Sequence, residues 1–322
     1  MGPLKFQPIL KRSRWGGRRL GDLLGKAIGP HSDYAESWEI CDRGADQSAV
    51  TGGPWRGWTL QRLVRERPRE LLGRHAGISQ FPLLIKFLDA CDRLSVQVHP
   101  DDIQAPRYAQ GERGKTEAWV ILAARPESCV YAGLQPGVDE AILRRAVAQG
   151  TVEQCLNRVP VAAGDCLFIP AGTVHAIGEG ILLAEVQQAS DLTFRLFDWN
   201  RLGSDGQPRP LHVHQALECV DFRRGPVNRI TPTIDRTAGP ACEEMVKCPY
   251  FTIRRHRVVE PLLIHDDERC HILIGLGGSL TCQGGEGSQR VSVGEAVLVP
   301  ASALPAQLLP DAESVLLEVS WD

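Results

Sequence analysis

The chain has 322 residues, enough to bury a sizeable core in two domains or one large β architecture. Its 43% hydrophobic and 23% charged residues are typical of a globular protein. A net charge of −3 and a pI near 6.3 give no electrostatic case for nucleic acid as a partner. No run approaches the roughly 18 consecutive apolar residues of a membrane span. Charges at Lys5 and Lys11 interrupt any signal-peptide core, so we expect a cytoplasmic protein with no membrane contact.

Helical patterning is confined to three places. Apolar residues at three- and four-residue spacing predict a helix near Trp58–Arg65. Asp139, a typical N-cap residue, opens a second helix that Gly150 should end, and Thr151 opens a further short turn. The last two form a predicted helical insertion near residues 139–157.

Short β-branched runs dominate the rest of the chain, and the 32 glycines and 22 prolines separate them. This pattern predicts a mainly β protein. The predicted strands, in chain order, are Leu83–Phe87, Ser95–Val98, Ala118–Leu122, Ser128–Tyr131, Cys166–Ile169, Ile181–Val186, Phe251–Val258, His271–Ile274 and Ala296–Val299.

The stretch from Leu94 to Asp102 carries the most functional information. Gln97 and His99 stand two residues apart in a strand-like run, so their side chains should share one face. Glu117 and His175 follow within further motifs of the chain. Together the four residues form a set of oxygen and nitrogen donors that suits zinc and leaves room for a substrate.

An internal repeat accompanies this set. The segment Gly164–Ala171 is echoed by Gly294–Ala301. The second copy lacks the donors, because Arg269 stands where the first has Glu117 and Pro305 stands where the first has His175. We therefore predict a metal-bearing domain over residues 1–222, a linker over 223–240 and a metal-free domain over 241–322.

The motif Gly-Asp-x-x-x-Ile-Pro-Ala-Gly-x-x-His at residues 164–175 resembles the second half of a cupin metal motif. The chain as a whole resembles the short bacterial type I mannose-6-phosphate isomerases. The matching motifs, in order, are Leu4-Lys-Phe-Gln-Pro, Trp15-Gly-Gly-Arg-Arg, Glu36-Ser-Trp-Glu, Leu94-Ser-Val-Gln-Val-His-Pro-Asp-Asp, Gly114-Lys-Thr-Glu-Ala-Trp, Ile169-Pro-Ala-Gly-Thr-Val-His-Ala-Ile-Gly and Glu185-Val-Gln-Gln-Ala-Ser-Asp-Leu-Thr-Phe-Arg.

The resemblance implies two cupin (jelly-roll) barrels in tandem, with the small helical insertion. It also implies the interconversion of mannose 6-phosphate and fructose 6-phosphate through a cis-enediol, with one Zn²⁺ per chain. The implied zinc ligands are Gln97, His99, Glu117 and His175.

Further site residues come from the same comparison. We expect catalytic roles for Arg195, Glu185 and Lys115, with Glu185 the first candidate for the base and Lys115 the second. We expect Asp191, Arg201 and Ser95 to bind substrate, and Arg195, Arg201 and Lys115 to be available to the phosphate. The expected partner is a small phosphosugar, and the expected state is a monomer or a weak homo-oligomer.

Two other functions stay open. A cupin dioxygenase would hold Fe(II) with two histidines and a glutamate, although Gln97 as a fourth ligand argues against it. A non-catalytic sugar-binding cupin would be expected to lose ligands or Arg195, and here both are present. Metal analysis with oxygen consumption separates the first alternative from an isomerase, and an activity assay separates the second.

Overall fold

A computed structural model describes residues 1–202, 206–234 and 242–322 of the chain. Its strands are β1 (Leu4–Lys5), β2 (Ile9–Gly17), β3 (Tyr34–Ile40), β4 (Asp42–Arg43), β5 (Asp46–Gln47), β6 (Leu83–Ala90), β7 (Val96–Val98), β8 (Glu117–Ala124), β9 (Cys129–Leu134), β10 (Leu156–Pro160), β11 (Cys166–Ile169), β12 (His175–Ile177), β13 (Ile181–Gln188), β14 (Phe194–Phe197), β15 (Thr233–Ile234), β16 (Cys242–Lys247), β17 (Thr252–Val258), β18 (Leu262–Ile264), β19 (His271–Gly277), β20 (Ser279–Gly284), β21 (Gly287–Ser292), β22 (Ala296–Val299), β23 (Ala306–Pro310) and β24 (Ser314–Ser320). Its α-helices are α1 (Arg19–Asp22), α2 (Leu60–Glu66), α3 (Pro68–Leu72), α4 (Ala105–Tyr108), α5 (Glu140–Gln149) and α6 (Val213–Cys219).

The mainly β prediction is confirmed, and every predicted strand coincides with an observed one. The predicted helices are α2, α5 and a 3₁₀ turn at Val152–Cys155. Asp139 caps α5 by accepting the N–H of Ile142, and Gly150 ends it in a left-handed conformation. None of the described helices is both long and apolar enough to cross a membrane.

The chain divides into two compact units, and the predicted domain bounds stay predictions. One unit contains Met1–Lys11, Arg18–Phe87 and Thr231–Asp322, and the other contains Arg12–Gly17 and Leu88–Ile230. The first unit thus joins most of the N-terminal residues to the C-terminal strands, because the core is built by contacts between residues remote in sequence. Residues 235–240 of the predicted linker lie outside the described residues, and the tandem arrangement of two barrels stays a prediction.

The unit of Leu88–Ile230 contains the segments that carry the predicted metal ligands. One antiparallel sheet has the order β10-β9-β12-β7-β14, and β8 lies between β11 and β13 in a second sheet. Its hydrophobic core includes the side chains of Val96 and Val98 from β7, together with Leu196 and Leu217. The alternation of β7 therefore buries its valines on one face and leaves Gln97 on the other.

The other unit has a seven-stranded sheet, ordered β1-β22-β19-β24-β17-β16-β15, and a four-stranded sheet, ordered β18-β23-β20-β21. Leu273, Val297 and Leu316 from the first sheet lie in a core with Leu280 and Leu308 from the second. The burial of these apolar side chains between two sheets is the main source of stability for such a fold.

The predicted repeat is visible in both units. The motif strand β11 pairs with β8, which also pairs with β13, while β22 pairs with β19, which also pairs with β24. The turn before each motif strand is the same: the carbonyl of Asp165 accepts the N–H of Ile121, and that of Glu295 accepts the N–H of Gly275. The two copies thus share a local topology as well as a motif. The predicted match of Glu117 with Arg269 is wrong, because Ile169 pairs with Glu117 and the equivalent Val299 pairs with His271.

Candidate metal centre and active site

Strand pairing brings three predicted site residues into one row. His175, the first residue of β12, is in register with Gln97 of β7, and Gln97 is in register with Arg195 of β14. Side chains at paired positions of antiparallel strands project to the same face of a sheet. Gln97 therefore lies between His175 and Arg195, and His99 follows immediately after β7.

His99, Glu117 and His175 converge to a buried group of donors. One ligand atom from each lies within 4.8 Å of the other two. Oε1 of Glu117 is 3.4 Å from Nε2 of His175, and Oε2 is 3.5 Å from Nε2 of His99. Neither carboxylate oxygen has a hydrogen-bond partner among the described residues, although both are buried. A buried carboxylate without a hydrogen bond is costly, so this group fits a cation.

Backbone carbonyls orient both imidazoles. Nδ1 of His99 is 3.0 Å from the carbonyl oxygen of Leu192, and Nδ1 of His175 is 2.8 Å from that of Thr173. Because a carbonyl only accepts, each Nδ1 carries the proton and each Nε2 keeps its lone pair. The two lone pairs are available beside Glu117, which is the arrangement that metal-binding histidines have in proteins.

The protonation states also fit a metal. Burial and the nearby Lys115 ammonium lower the pKa of His99 to about 3, and burial lowers the pKa of His175. Burial alone would raise the pKa of Glu117, but Lys115 and His99 outweigh it and hold the pKa well below its usual range. Two neutral imidazoles and an ionised carboxylate are the forms that bind a divalent cation.

Gln97 borders this group. Its Nε2 atom is 3.2 Å from Nε2 of His175 and donates to the lone pair there. A half-turn of the amide exchanges nitrogen and oxygen, so the same position can offer an oxygen ligand. The predicted fourth ligand is therefore adjacent to the three that converge.

Lys115 also lies at this group. Its Nζ atom is 3.1 Å from Nε2 of His99 and 3.0 Å from Oε2 of Glu117, and its side chain is 5% exposed. The contact with Oε2 of Glu117 is an ion pair and leaves that oxygen without a hydrogen bond. Lys115 thus brings a positive charge to the place where the sequence predicts the substrate.

Glu185 lies on β13, which pairs with β8, the strand that begins at Glu117. It is in register with Trp119, whose Nε1 donates to Oε2 of Glu185 over 3.0 Å, while Gln187 is in register with Glu117. The ring of Trp119 contacts His175 edge to face, with centroids 5.4 Å apart. Trp119, which was not predicted as a site residue, therefore links the carboxylate of Glu185 to His175, one of the candidate metal ligands.

The remaining predicted residues lie in different surroundings. The guanidinium of Arg195 donates from Nη1 to the carbonyl of Pro210, and its buried Nε has no partner among the described residues. Arg201 donates instead to the carboxylates of Asp92 and Asp198. Asp191 is exposed and Ser95 is buried. Their roles in substrate binding stay predictions.

Four contacts escaped the sequence: those of the Leu192 and Thr173 carbonyls with the two imidazoles, that of Trp119 with Glu185, and that of Gln188 with the N–H of Thr116. The carbonyls of Leu192 and Thr173 carry no side-chain signal, because any residue type supplies a carbonyl. Trp119 and Gln188 stand inside the motifs that carry the resemblance, which was the available signal. Their contacts became visible only through strand pairing.

Comparison with known proteins agrees with this geometry. Residues 4–132 match the family model of the type I phosphomannose isomerase catalytic domain. Over 251 residues the chain is 38% identical to the mannose-6-phosphate isomerase ManA of Bacillus subtilis, covering 78% of each chain. Over 256 residues it is 38% identical to the mannose-6-phosphate isomerase of Streptococcus mutans, covering 80% of this chain and 79% of the relative.

A solved structure is similar over nearly the whole length. The crystal structure of the mannose 6-phosphate isomerase from Bacillus subtilis superposes with a TM-score of 0.90 at 29% identity, covering 99% of both chains. The resemblance drawn from the motifs is thereby confirmed. The chain belongs to the family of type I mannose-6-phosphate isomerases.

Proposed function

We propose that this protein is a zinc-dependent isomerase that interconverts mannose 6-phosphate and fructose 6-phosphate. The observation that carries the proposal is the buried group of His99, Glu117 and His175, whose Nε2 lone pairs and carboxylate oxygens face one another. Membership of the family supplies the substrate class.

Four residues would hold the metal: Gln97, His99, Glu117 and His175. One carboxylate and three neutral donors would leave a divalent cation with a formal charge of about +1, so when bound it would act as a Lewis acid toward a substrate oxygen. Imidazole and carboxylate donors suit zinc, which is the metal we propose.

The chain's own residues would carry the proton. The hydrogen on the carbon beside a carbonyl is only weakly acidic, so a base must remove it from C2 and return it to C1. We assign this transfer first to a carboxylate oxygen of Glu185 and second to Nζ of Lys115. Such general acid–base work contributes roughly 10²–10⁴-fold to a rate.

Arg195 and Lys115 would stabilise the negative charge that develops on the enediolate oxygens. Arg195 lies in the row beside Gln97 and uses one guanidinium nitrogen on a carbonyl, so it retains donors for an oxyanion. The guanidinium of Arg201 already donates to Asp92 and Asp198. For Arg201 we therefore propose a contribution of positive charge near the phosphate, with Arg195 as the direct contact.

The deciding experiment is a coupled assay of mannose 6-phosphate isomerisation before and after chelation, with zinc added back. We expect activity that the chelator removes and zinc restores. A folded, zinc-loaded protein that leaves mannose 6-phosphate unchanged would refute the proposal. Oxygen consumption in an iron-loaded sample would point to the dioxygenase instead, and saturable sugar binding without turnover would point to a binding protein.

A further inference from the structure

The loop that joins β7 to β8 begins and ends at metal-ligand residues. His99 precedes it and Glu117 follows it, so residues 100–116 connect two of the proposed ligands. Lys115 is carried by the returning arm, and its N–H donates to the carbonyl of Pro100 on the outgoing arm. The position of this loop therefore affects three groups of the site at once.

One buried side chain connects both arms of the loop. Oε1 of Gln188 accepts the N–H of Thr116 over 2.9 Å on the returning arm, and Nε2 donates to Oδ1 of Asp102 over 3.1 Å on the outgoing arm. Gln188 is the last residue of β13 and is 5% exposed. The side-chain amide of Gln188, at the end of β13, thus connects the two arms of the loop where they lie side by side.

Asp102 completes the connection on the opposite side. Its Oδ1 also accepts the N–H of Gly114 over 2.8 Å. A Cβ atom at Gly114 would lie 2.6 Å from the backbone nitrogen of Asp102, so only glycine permits this approach of the two arms. The hydrogen bonds of Gln188 and Asp102, with the close contact at Gly114, form what we call the loop brace.

We infer that Gln188 and Asp102 are positioning residues of the active site, which hold Lys115, His99 and Glu117 in their places through the loop brace. Neither residue has a described contact with the ligand atoms. They act through the backbone of Gly114 and Thr116, the two residues that flank Lys115, and Thr116 directly precedes Glu117. The expected effect on kcat rests on the proposed isomerase function, whereas the expected effects on zinc affinity and on the loop do not.

If Gln188 and Asp102 only stabilised the fold, their loss would lower stability and leave zinc affinity unchanged. Loss of a buried hydrogen bond lowers the stability of the fold, but it need not change metal affinity. Residues that do not bind the metal but hold its ligands in position typically contribute roughly 10–100-fold to metal affinity or activity. Zinc affinity is therefore the quantity that separates positioning from general stabilisation.

The test uses Q188M, which keeps the length of the side chain and removes both hydrogen bonds. We expect zinc affinity, measured by competition with a chromophoric chelator, to fall about tenfold or more. We also expect kcat to fall more than KM changes, and amide exchange at residues 114–116 to become faster. The control is Q135M, because the side-chain amide of Gln135 also donates a hydrogen bond, to the carbonyl of Leu156, outside the loop. The control should retain zinc affinity within twofold.

A compensating pair gives a second readout. In Q188E/D102N the carboxylate and the amide exchange places at constant net charge. The new amide can keep its oxygen toward the N–H of Gly114 and place its nitrogen where Oδ2 of Asp102 lies, 3.4 Å from Nε2 of Gln188, so that it donates to the new carboxylate. We expect zinc affinity within threefold of the original protein. Zinc affinity and exchange rates unchanged in Q188M would overturn the inference, as would an equal loss in Q135M. If the original protein lacks isomerase activity, the proposed function fails, while the zinc and exchange measurements still decide whether the brace positions the ligands.

Discussion

A buried chain of charges in the C-terminal strands should make the stability of the protein depend on pH. His271 lies between two carboxylates: Nδ1 is 2.7 Å from Oε1 of Glu318, and Nε2 is 3.0 Å from Oδ1 of Asp267. The other members of this cluster are His256, 2.6 Å from Oε2 of Glu318, and Arg269, which pairs with Asp267. The side chain of His271 is 3% exposed.

The size of this pH dependence of the free energy of unfolding follows from the pKa of His271. Burial alone would lower this pKa, but the hydrogen bonds to Asp267 and Glu318 outweigh it and raise the pKa from 6.5 to about 9. A rise of this size corresponds to about 3 kcal/mol of preferential proton binding by the folded state. Because the folded pKa is the higher one, the contribution is complete below pH 6.5 and is lost as pH rises through 9.

The assay compares the original protein with H271Q, which removes the titrating group and keeps a polar side chain. The free energy of unfolding, from urea titrations between pH 6 and pH 10, should differ most at pH 6. The difference should shrink by up to about 3 kcal/mol by pH 10. H265Q, which replaces an exposed histidine outside this cluster, is the control for the substitution itself. A difference for H271Q that is independent of pH, or that grows as pH rises, would refute the reasoning.

Three further outcomes are expected. E117Q should lose zinc on dialysis and lower kcat at least about a hundredfold, measured by metal analysis and the coupled assay, because it removes the one anionic ligand. K26M should destabilise the fold by about 3 kcal/mol in urea titrations, because it leaves Glu39 buried without its partner at 2.7 Å. K11M, which breaks an exposed ion pair, should cost under about 1 kcal/mol and serves as its control. E185Q should retain zinc and lose roughly 10²–10⁴-fold in kcat if Glu185 is the base, whereas near-normal turnover would remove it from that role.

Strand alternation explains why the candidate ligands could be predicted. The period of two in Leu94–Asp102 places Gln97 and His99 on one face whatever the rest of the chain does. The motif that ends at His175 and the segment that opens at Glu117 carry their donors at strand beginnings, and the structure has both residues as the first of their strands. The repeat was likewise readable, because a duplicated turn preserves its glycine, acidic and apolar positions.

Long-range contacts explain what could not be predicted. The compact units combine Arg18–Phe87 with residues after Thr231, and no local pattern encodes which remote segments will share a core. Arg201 is a basic residue near the substrate motif in sequence, yet its guanidinium is committed to Asp92 and Asp198. Only the folded chain shows which charges are already paired.

By itself the sequence determined the β character and the family and predicted the candidate donors, because each depends on residue types within short motifs. The tertiary structure alone decided the tautomers of His99 and His175, the link from Glu185 to His175 through Trp119, and the connection of the two loop arms by Gln188. These are hydrogen bonds between groups far apart in sequence or to backbone carbonyls. They form only once the strands have paired, so no local sequence pattern predicts them.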